Sequence, residues 1–240
     1  MGKRIRAQRR GSSPKNRVRS HRFPGKSKVP RVEDEVATVS DLVHSPVHTA
    51  PLARVRFDNG DEFFIVATEG MGVGQKVAIG DNVALRPGNI TKLSQIPEGT
   101  PVNNVESRPG DGGKFARSGG NSAVVESNMG DSVRIRLPSG RLKELHSDCR
   151  ATIGVLGGHG RTDKPMMKAG SAHYRAKARG KLYPTVSGVA MNPVDHPHGG
   201  GNHQAVHGPN SVSRNAPPGQ KVGHIAPRRT GRGRSKSKEE

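Results

Sequence analysis

The sequence predicts a mainly β protein, two small β-barrels in series with long irregular N- and C-terminal extensions. Three observations carry that expectation. Short apolar runs recur between Gly, Pro, Asn and Asp turn signals, the spacing of small all-β domains rather than of helices. Hydrophobic residues make up 30% of the 240-residue chain while Gly number 32 and Pro 18, so a core can form but not along the whole length. Charge is segregated as well. Residues 1–32 hold 12 basic and no acidic side chains, residues 33–106 hold 5 and 11, and residues 107–240 hold 23 and 9. The total, 40 Lys and Arg against 20 Asp and Glu, is a net +20 that repels itself unless a polyanion is near.

In chain order, residues 1–32 form a basic arm (Arg4, Arg6, Arg9 and Arg10 among its cations) with little apolar periodicity. An extended arm this basic and without acids reads as one that orders along phosphates rather than as a solvated tail. Residues 33–104 read as a first barrel of the oligonucleotide/oligosaccharide-binding type. Its predicted strands are 37–39, 52–57, 63–67, 76–79 and 82–85, with Asp58-Asn59-Gly60-Asp61 as a hairpin turn. The acidic balance of this body makes it a poor phosphate binder and suits a spacer or protein-facing surface.

Residues 105–186 read as a second small barrel with a basic loop and helix. A Gly/Pro-rich connector carries Lys114 and Arg117 among glycines, and strands are predicted at 122–125, 133–137, 142–145 and 151–155. Val133, Ile135 and Leu137 alternate with Arg134 and Arg136, which gives one buried and one cationic face. The loop from Gly157 holds Arg161 and Lys164, and a short helix over 167–179 brings Lys168, Arg175, Lys177 and Arg179 close to Lys181. Residues 187–240 are a Gly/Pro/His-rich and basic extension containing Arg214, Lys221, Arg228, Arg229 and the tail cations Arg232 and Arg234.

The stretch Met191-Asn-Pro-Val-Asp-His-Pro-His-Gly-Gly-Gly-Asn-His203 is neither helix nor core strand. On sequence alone it is expected to take one shape only when an outside partner holds it. Trp is absent, and Tyr occurs twice and Phe five times, mostly in strands, so base stacking along a single strand is poorly served. No helix-turn-helix pattern addresses duplex DNA. Folded RNA remains, contacted through phosphates, 2′-hydroxyls and shape. One cysteine, Cys149, excludes an internal disulfide and a multi-thiolate zinc site. No apolar run nears the ~18 residues of a spanning helix, no apolar signal segment opens the chain, and no amphipathic membrane-surface helix is seen. A soluble intracellular protein is expected.

Several long motifs also carry a resemblance: Asn104-Val105-Glu106, Pro109-Gly-Asp-Gly-Gly-Lys114, Cys149-Arg150-Ala-Thr-Ile-Gly154 and Gly188-Val-Ala-Met-Asn-Pro-Val-Asp-His-Pro-His-Gly-Gly-Gly201. Nearly end to end, the chain resembles the large-subunit ribosomal protein two family. Gly160-Arg-Thr-Asp-Lys-Pro165, Gly201-Asn-His-Gln204 and Arg229-Thr-Gly-Arg232 look like its archaeal and eukaryotic branch. The resemblance implies an oligonucleotide-binding-like barrel followed by a Src-homology-three-like one. It implies a primary large-subunit rRNA binder near the peptidyl transferase region, supporting subunit association, tRNA binding and peptide bond formation. Implied partners are large-subunit rRNA, small-subunit rRNA at an inter-subunit bridge and neighbouring ribosomal proteins, in the cytoplasm, with no membrane and no small-molecule substrate. The histidine most discussed in the family falls on His196. The loop residues expected at the RNA are Asn192, Asp195, His196, His198, Gly199, Gly200 and Gly201, with Arg150 and the cations named above.

Each candidate chemistry has a plainer alternative. Asp195-His196 invites a proton shuttle, but adjacent side chains point apart and no motif places a nucleophile. An imidazole donating to an RNA oxygen is the expected role, not catalysis. His196, His198, His203 and His207 match no zinc spacing. No cofactor is expected beyond hydrated Mg2+ bound jointly with RNA, which leaves no mark on a sequence. Gly157 to Lys164 lacks the Gly-x4-Gly-Lys-Ser/Thr pattern and reads as a phosphate nest.

Overall fold

The computed structural model describes residues 4–9, 11, 13–18, 20, 21, 23–32 and 34–231. The expected contacts of Arg10 and of Arg232 and Arg234 lie outside the described residues. The chain divides into two compact units, Ser20–Ser171 and Met1–Arg19 with Ala172–Glu240.

The larger unit holds ten strands, β1 (Glu35–Val43), β2 (Leu52–Phe57), β3 (Glu62–Val66), β4 (Lys76–Ile79), β5 (Ile90–Lys92), β6 (Pro101–Asn103), β7 (Ala123–Asn128), β8 (Ser132–Arg136), β9 (Leu142–His146) and β10 (Arg150–Ile153). Turn chemistry sets the hairpins. Between β2 and β3, Gly60 takes φ +91°, Asn59 Oδ1 accepts from the Asp61 N–H at 2.9 Å, and the register pairs Val55 with Phe63. Between β8 and β9, Gly140 at φ +79° turns the chain so that Val133 faces Leu145.

The strands follow the order β3-β2-β1-β4-β5-β10-β6-β7-β8-β9 in one continuous ladder. Two main cores lie along it, beside a smaller cluster of Ala50, Leu52, Val66 and Leu156. One is built from residues such as Val39, Val55, Ile65, Val77 and Ile90, the other from Val102, Val125, Ile135, Leu145 and Ile153. The alternation read in 133–137 is real, since Val133 and Ile135 are fully buried beside Arg134 and Arg136. Cys149 belongs to the second core, and burial first, then the nearby Glu106 and Asp111 carboxylates, push its thiol up to about 11.

The mainly β class holds, and the ten strands form one sheet; among the described residues no hydrogen-bonded ladder closes either half onto itself. One expectation is corrected, since residues 82–85 are not a strand. Asn82 takes φ +55°, its N–H donates to Gln95 Oε1 at 2.7 Å, and the Asn89 amide donates to Ala84 O, which peels the segment away. The place beside β4 goes to β5, through a parallel pairing of Ile79 with Ile90.

Glu106 is the fixed point of this unit. Its carboxylate is fully buried, and it accepts from the N–H groups of Gly110, Gly112 and Arg150 at 3.1, 3.0 and 3.0 Å and from the Arg150 guanidinium at 3.3 Å. Arg150 also donates to Pro30 O at 2.6 Å, and Arg117 bridges Gly113 O and Ser27 O at 3.0 and 2.8 Å. Gly113, at φ +88°, lies so close to Asn104 that any Cβ would collide with its carbonyl. Asp111 closes the loop. Burial raises its pKa, but hydrogen bonds from Ser107, Lys114 and Gly113 outweigh that and hold it down to about 2.

The smaller unit has little regular structure. Helix α1 (Ala169–Ala178), which spans the boundary, has no buried residue. It ends where Gly180 takes φ +62° and the Lys181 N–H caps Ala176 O at 2.9 Å. A two-residue parallel pair, β11 (Ser211–Val212) with β12 (His224–Ile225), ties the C-terminal extension to itself.

Removing the buried carboxylate strands a largely buried guanidinium and three backbone N–H groups. Glu106→Ala is therefore expected to cost about 3–5 kcal/mol in equilibrium urea unfolding, and a loss below about 1 kcal/mol would refute the clamp.

Candidate nucleic-acid interface

The loop around His196 shapes itself. Pro193 opens a turn in which the Asp195 and His196 N–H groups donate to Asn192 O at 2.9 and 3.2 Å. The Gly199 N–H then donates to His196 O at 2.9 Å, and the Gly200 N–H to Met191 O at 3.0 Å, which closes the loop. Glycine is obligatory here. A Cβ on Gly199 would overlap Asn192 O, one on Gly200 (φ +89°) would meet the Pro193 ring, and one on Gly188 would fall on the imidazole of His196. Glycine lets the backbone approach closely enough for the loop's peptide groups to bond to one another.

His196 is oriented by the same loop. Its Nδ1 accepts from the His198 N–H at 3.0 Å, so the neutral ring carries its proton on Nε2. The two rings meet edge to face at 5.1 Å. Burial, and then the neighbouring His198, lower the His196 pKa below its ordinary value of 6.5. The ring is therefore a fixed Nε2–H donor at neutral pH.

A cavity of about 590 Å³ in this unit gathers Arg4, Arg6, Asp195, His196, His198 and Lys221. Cations from both ends of the sequence thus converge beside the imidazoles. What draws the arm in is apolar, since Ile5 and Val222 line the same cavity and are both buried. The Ile5 N–H donates to Gln8 Oε1 at 3.0 Å and residues Ala7–Arg9 form a 3-10 turn, so the arm is folded here rather than extended. Neither anchor carries a charge or a motif, and sequence reading passed over both. Arg9 and Asn192 are exposed, and Gly201 (φ +85°) lies against His207.

The remaining cations divide by environment. Lys164, Lys168, Arg175, Lys177, Lys181, Arg214, Arg228 and Arg229 are exposed, and Arg179 is half-buried. Lys114 is exposed and pairs with Asp111 at 3.1 Å. Arg161 is half-buried, its Nε lying 3.4 Å from Gly119 O. Arg117 and Arg150 point inward to the carbonyls and carboxylate described above. Among the described residues no three His, Cys, Asp or Glu side chains converge so as to hold a metal ion. Nor is any helix among them long and apolar enough to cross a membrane.

Comparison with known proteins shows the family to which the chain belongs. Residues 2–79 match the family model described as Ribosomal Proteins L2, RNA binding N-terminal domain, and residues 86–221 match Ribosomal Proteins L2, C-terminal domain. The large ribosomal subunit protein uL2 of Archaeoglobus fulgidus is 52% identical over 234 residues, 96% of this chain and 99% of that protein. The protein of the same name from Haloarcula marismortui is 52% identical over 237 residues, covering 97% of this chain and 99% of its own. That of Methanothermobacter thermautotrophicus is 51% identical, covering 98% of this chain and all of its own.

The geometry of His196 sets a pH dependence. The folded loop favours the neutral ring, so the unfolded chain takes up the proton first as pH falls. Stability from this group is complete above pH 6.5 and declines between 6.5 and the lower folded value. Nitrogen NMR should show the Nε2–H tautomer at pH 7 and a midpoint below 6.5. Gly188→Ala should displace the ring and return the midpoint toward 6.5, whereas a parent midpoint at or above 6.5 contradicts the arrangement.

Proposed function

Because the chain belongs to the ribosomal protein L2 family, we propose that it is a structural, rRNA-binding constituent of the large ribosomal subunit and not an enzyme. The observation that carries this reading is the cavity where Arg4, Arg6 and Lys221 meet a glycine-built loop presenting the Nε2–H of His196. Cations there neutralise phosphate, and side-chain-free backbone comes within reach of a groove. The oriented imidazole donates to a phosphate or ribose oxygen, and Asn192, Asp195, His198 and Gly199 to Gly201 shape the contact.

The exposed cations of helix α1 and its flanks, with Lys114, Arg161, Lys164, Arg214, Arg228 and Arg229, extend the RNA surface. Arg117 and Arg150 serve that surface from inside, by fixing the loops that bear it. The two cores represent the oligonucleotide-binding-like and Src-homology-three-like barrels, over residues 33–104 and 105–186, between a basic arm (1–32) and a Gly/Pro/His-rich extension (187–240). In this reading the protein acts in cytoplasmic ribosomes near the peptidyl transferase region, supporting subunit association, tRNA binding and peptide bond formation. It contacts small-subunit rRNA at a bridge as well as neighbouring ribosomal proteins. Mg2+ is held jointly with the rRNA and not by the protein alone.

Two measurements test this. Affinity for large-subunit rRNA should fall roughly 10³–10⁵-fold between 50 and 200 mM salt if ~6–10 phosphates are neutralised, and rRNA footprinting should locate one folded site that outcompetes bulk RNA at moderate salt. His196→Gln should reduce the yield of assembled subunits, whereas normal assembly with abolished peptide transfer would overturn the structural role.

A further inference from the structure

Both tyrosines of the chain lie in one exposed cluster. Tyr174, on helix α1, is 70% exposed, and Tyr183, just past the helix end, is 38% exposed. His173 joins them edge to face, at 5.5 Å and 86° to Tyr174 and at 6.5 Å and 72° to Tyr183. The left-handed turn at Gly180 brings Tyr183 back to this position. None of the five Phe is exposed to that degree: Phe57 is 3% exposed and packs edge-on against Phe63, and the other four are half-buried.

Scattered surface apolar residues need no explanation, but this cluster has features that mere exposure lacks. Tyr174 stays 70% exposed although the His173 ring packs against it. Lys177 stands one turn along from both His173 and Tyr174, at i+4 and i+3, and Arg175 and Lys181 are exposed close by in sequence. The helix buries no residue of its own, so no apolar face explains why it carries an aromatic ring. A π-face beside ammonium and guanidinium groups is complementary to a nucleotide, with the base on the ring and the phosphate on the cation.

We propose that His173, Tyr174 and Tyr183 form a stacking platform for one unstacked RNA base, its phosphate held by Lys177. This rests on the rRNA-binding reading above and adds a recognition mode that phosphate contacts cannot supply, selection for an unpaired nucleotide.

The composition provides the test. With no Trp and two Tyr, tyrosine emission reports on this cluster alone, and in Tyr183→Phe it reports on Tyr174 alone. Fluorescence lifetimes of the full-length Tyr183→Phe chain would be followed with transcribed large-subunit rRNA, and with an RNA duplex lacking unpaired nucleotides. The expected result is quenching by the rRNA and little by the duplex. Tyr174→Leu, which keeps a good helix former, should bind the rRNA about tenfold more weakly with an unchanged salt slope, and Tyr174→Phe should bind like the parent. Parent-like binding by Tyr174→Leu without quenching in Tyr183→Phe would overturn the platform while leaving the ribosomal assignment standing. A Tyr174→Leu loss that appears only as an altered salt slope, or quenching that requires other large-subunit proteins, would overturn it too. Failure of the parent chain to prefer rRNA over the duplex at moderate salt would instead sink the rRNA-binding reading on which the platform rests.

Discussion

A carboxylate with no access to water holds the larger unit together. Glu106 receives three backbone N–H groups and one guanidinium, and Arg150 passes the restraint to the carbonyl of Pro30. Segments 27–30, 106–113 and β10 are thereby tied at one point, although they are far apart in the chain. A buried ion pair is an uncertain source of net stability, because desolvation offsets much of the attraction. Its clearer effect here is positional. The glycine loop from Gly110 to Gly113 has almost no side-chain packing of its own, and without the charged anchor it would have many conformations to choose from.

The same economy governs the smaller unit, with backbone in place of charge. The loop from Met191 to Gly200 is closed by peptide hydrogen bonds and by approaches only glycine permits. The Nδ1 of His196 is occupied by the His198 N–H, which leaves the proton of the neutral ring on Nε2. Cationic side chains then add attraction that is long-range and indifferent to sequence. Shape comes from the glycines and affinity from the arginines and lysines. These are separate contributions, made by residues distant in the chain.

Much of the fold could be read directly. Strands β2 and β4 fall where the apolar runs lie, and the Asn59-Gly60 turn gave its hairpin the right partners. Helix α1 was legible from its small and basic residues. Strands β5 and β6 were not, since three residues show no periodicity and β6 begins with a proline. The false strand at 82–85 had a suitable apolar pattern, and only the left-handed Asn82 and its glutamine partner exclude it. The candidate site was legible as charge and glycine, but not as geometry. Composition cannot tell an arginine facing solvent from one facing a carbonyl, as Arg117 and Arg150 show. Nor can it tell that Ile5 will bring Arg4 and Arg6 to a histidine some 190 positions later.

The short strand β5 carries a further implication for biogenesis. It pairs with β4 on one side and with β10 on the other, so it is the seam between the two cores. During vectorial synthesis Ile90–Lys92 leaves the exit tunnel well before Arg150–Ile153 has been translated. Over that interval the first core is complete but its far edge is bare, a strand border able to recruit other nascent chains. The acidic character of residues 33–106 discourages such self-association electrostatically while the border waits for its partner.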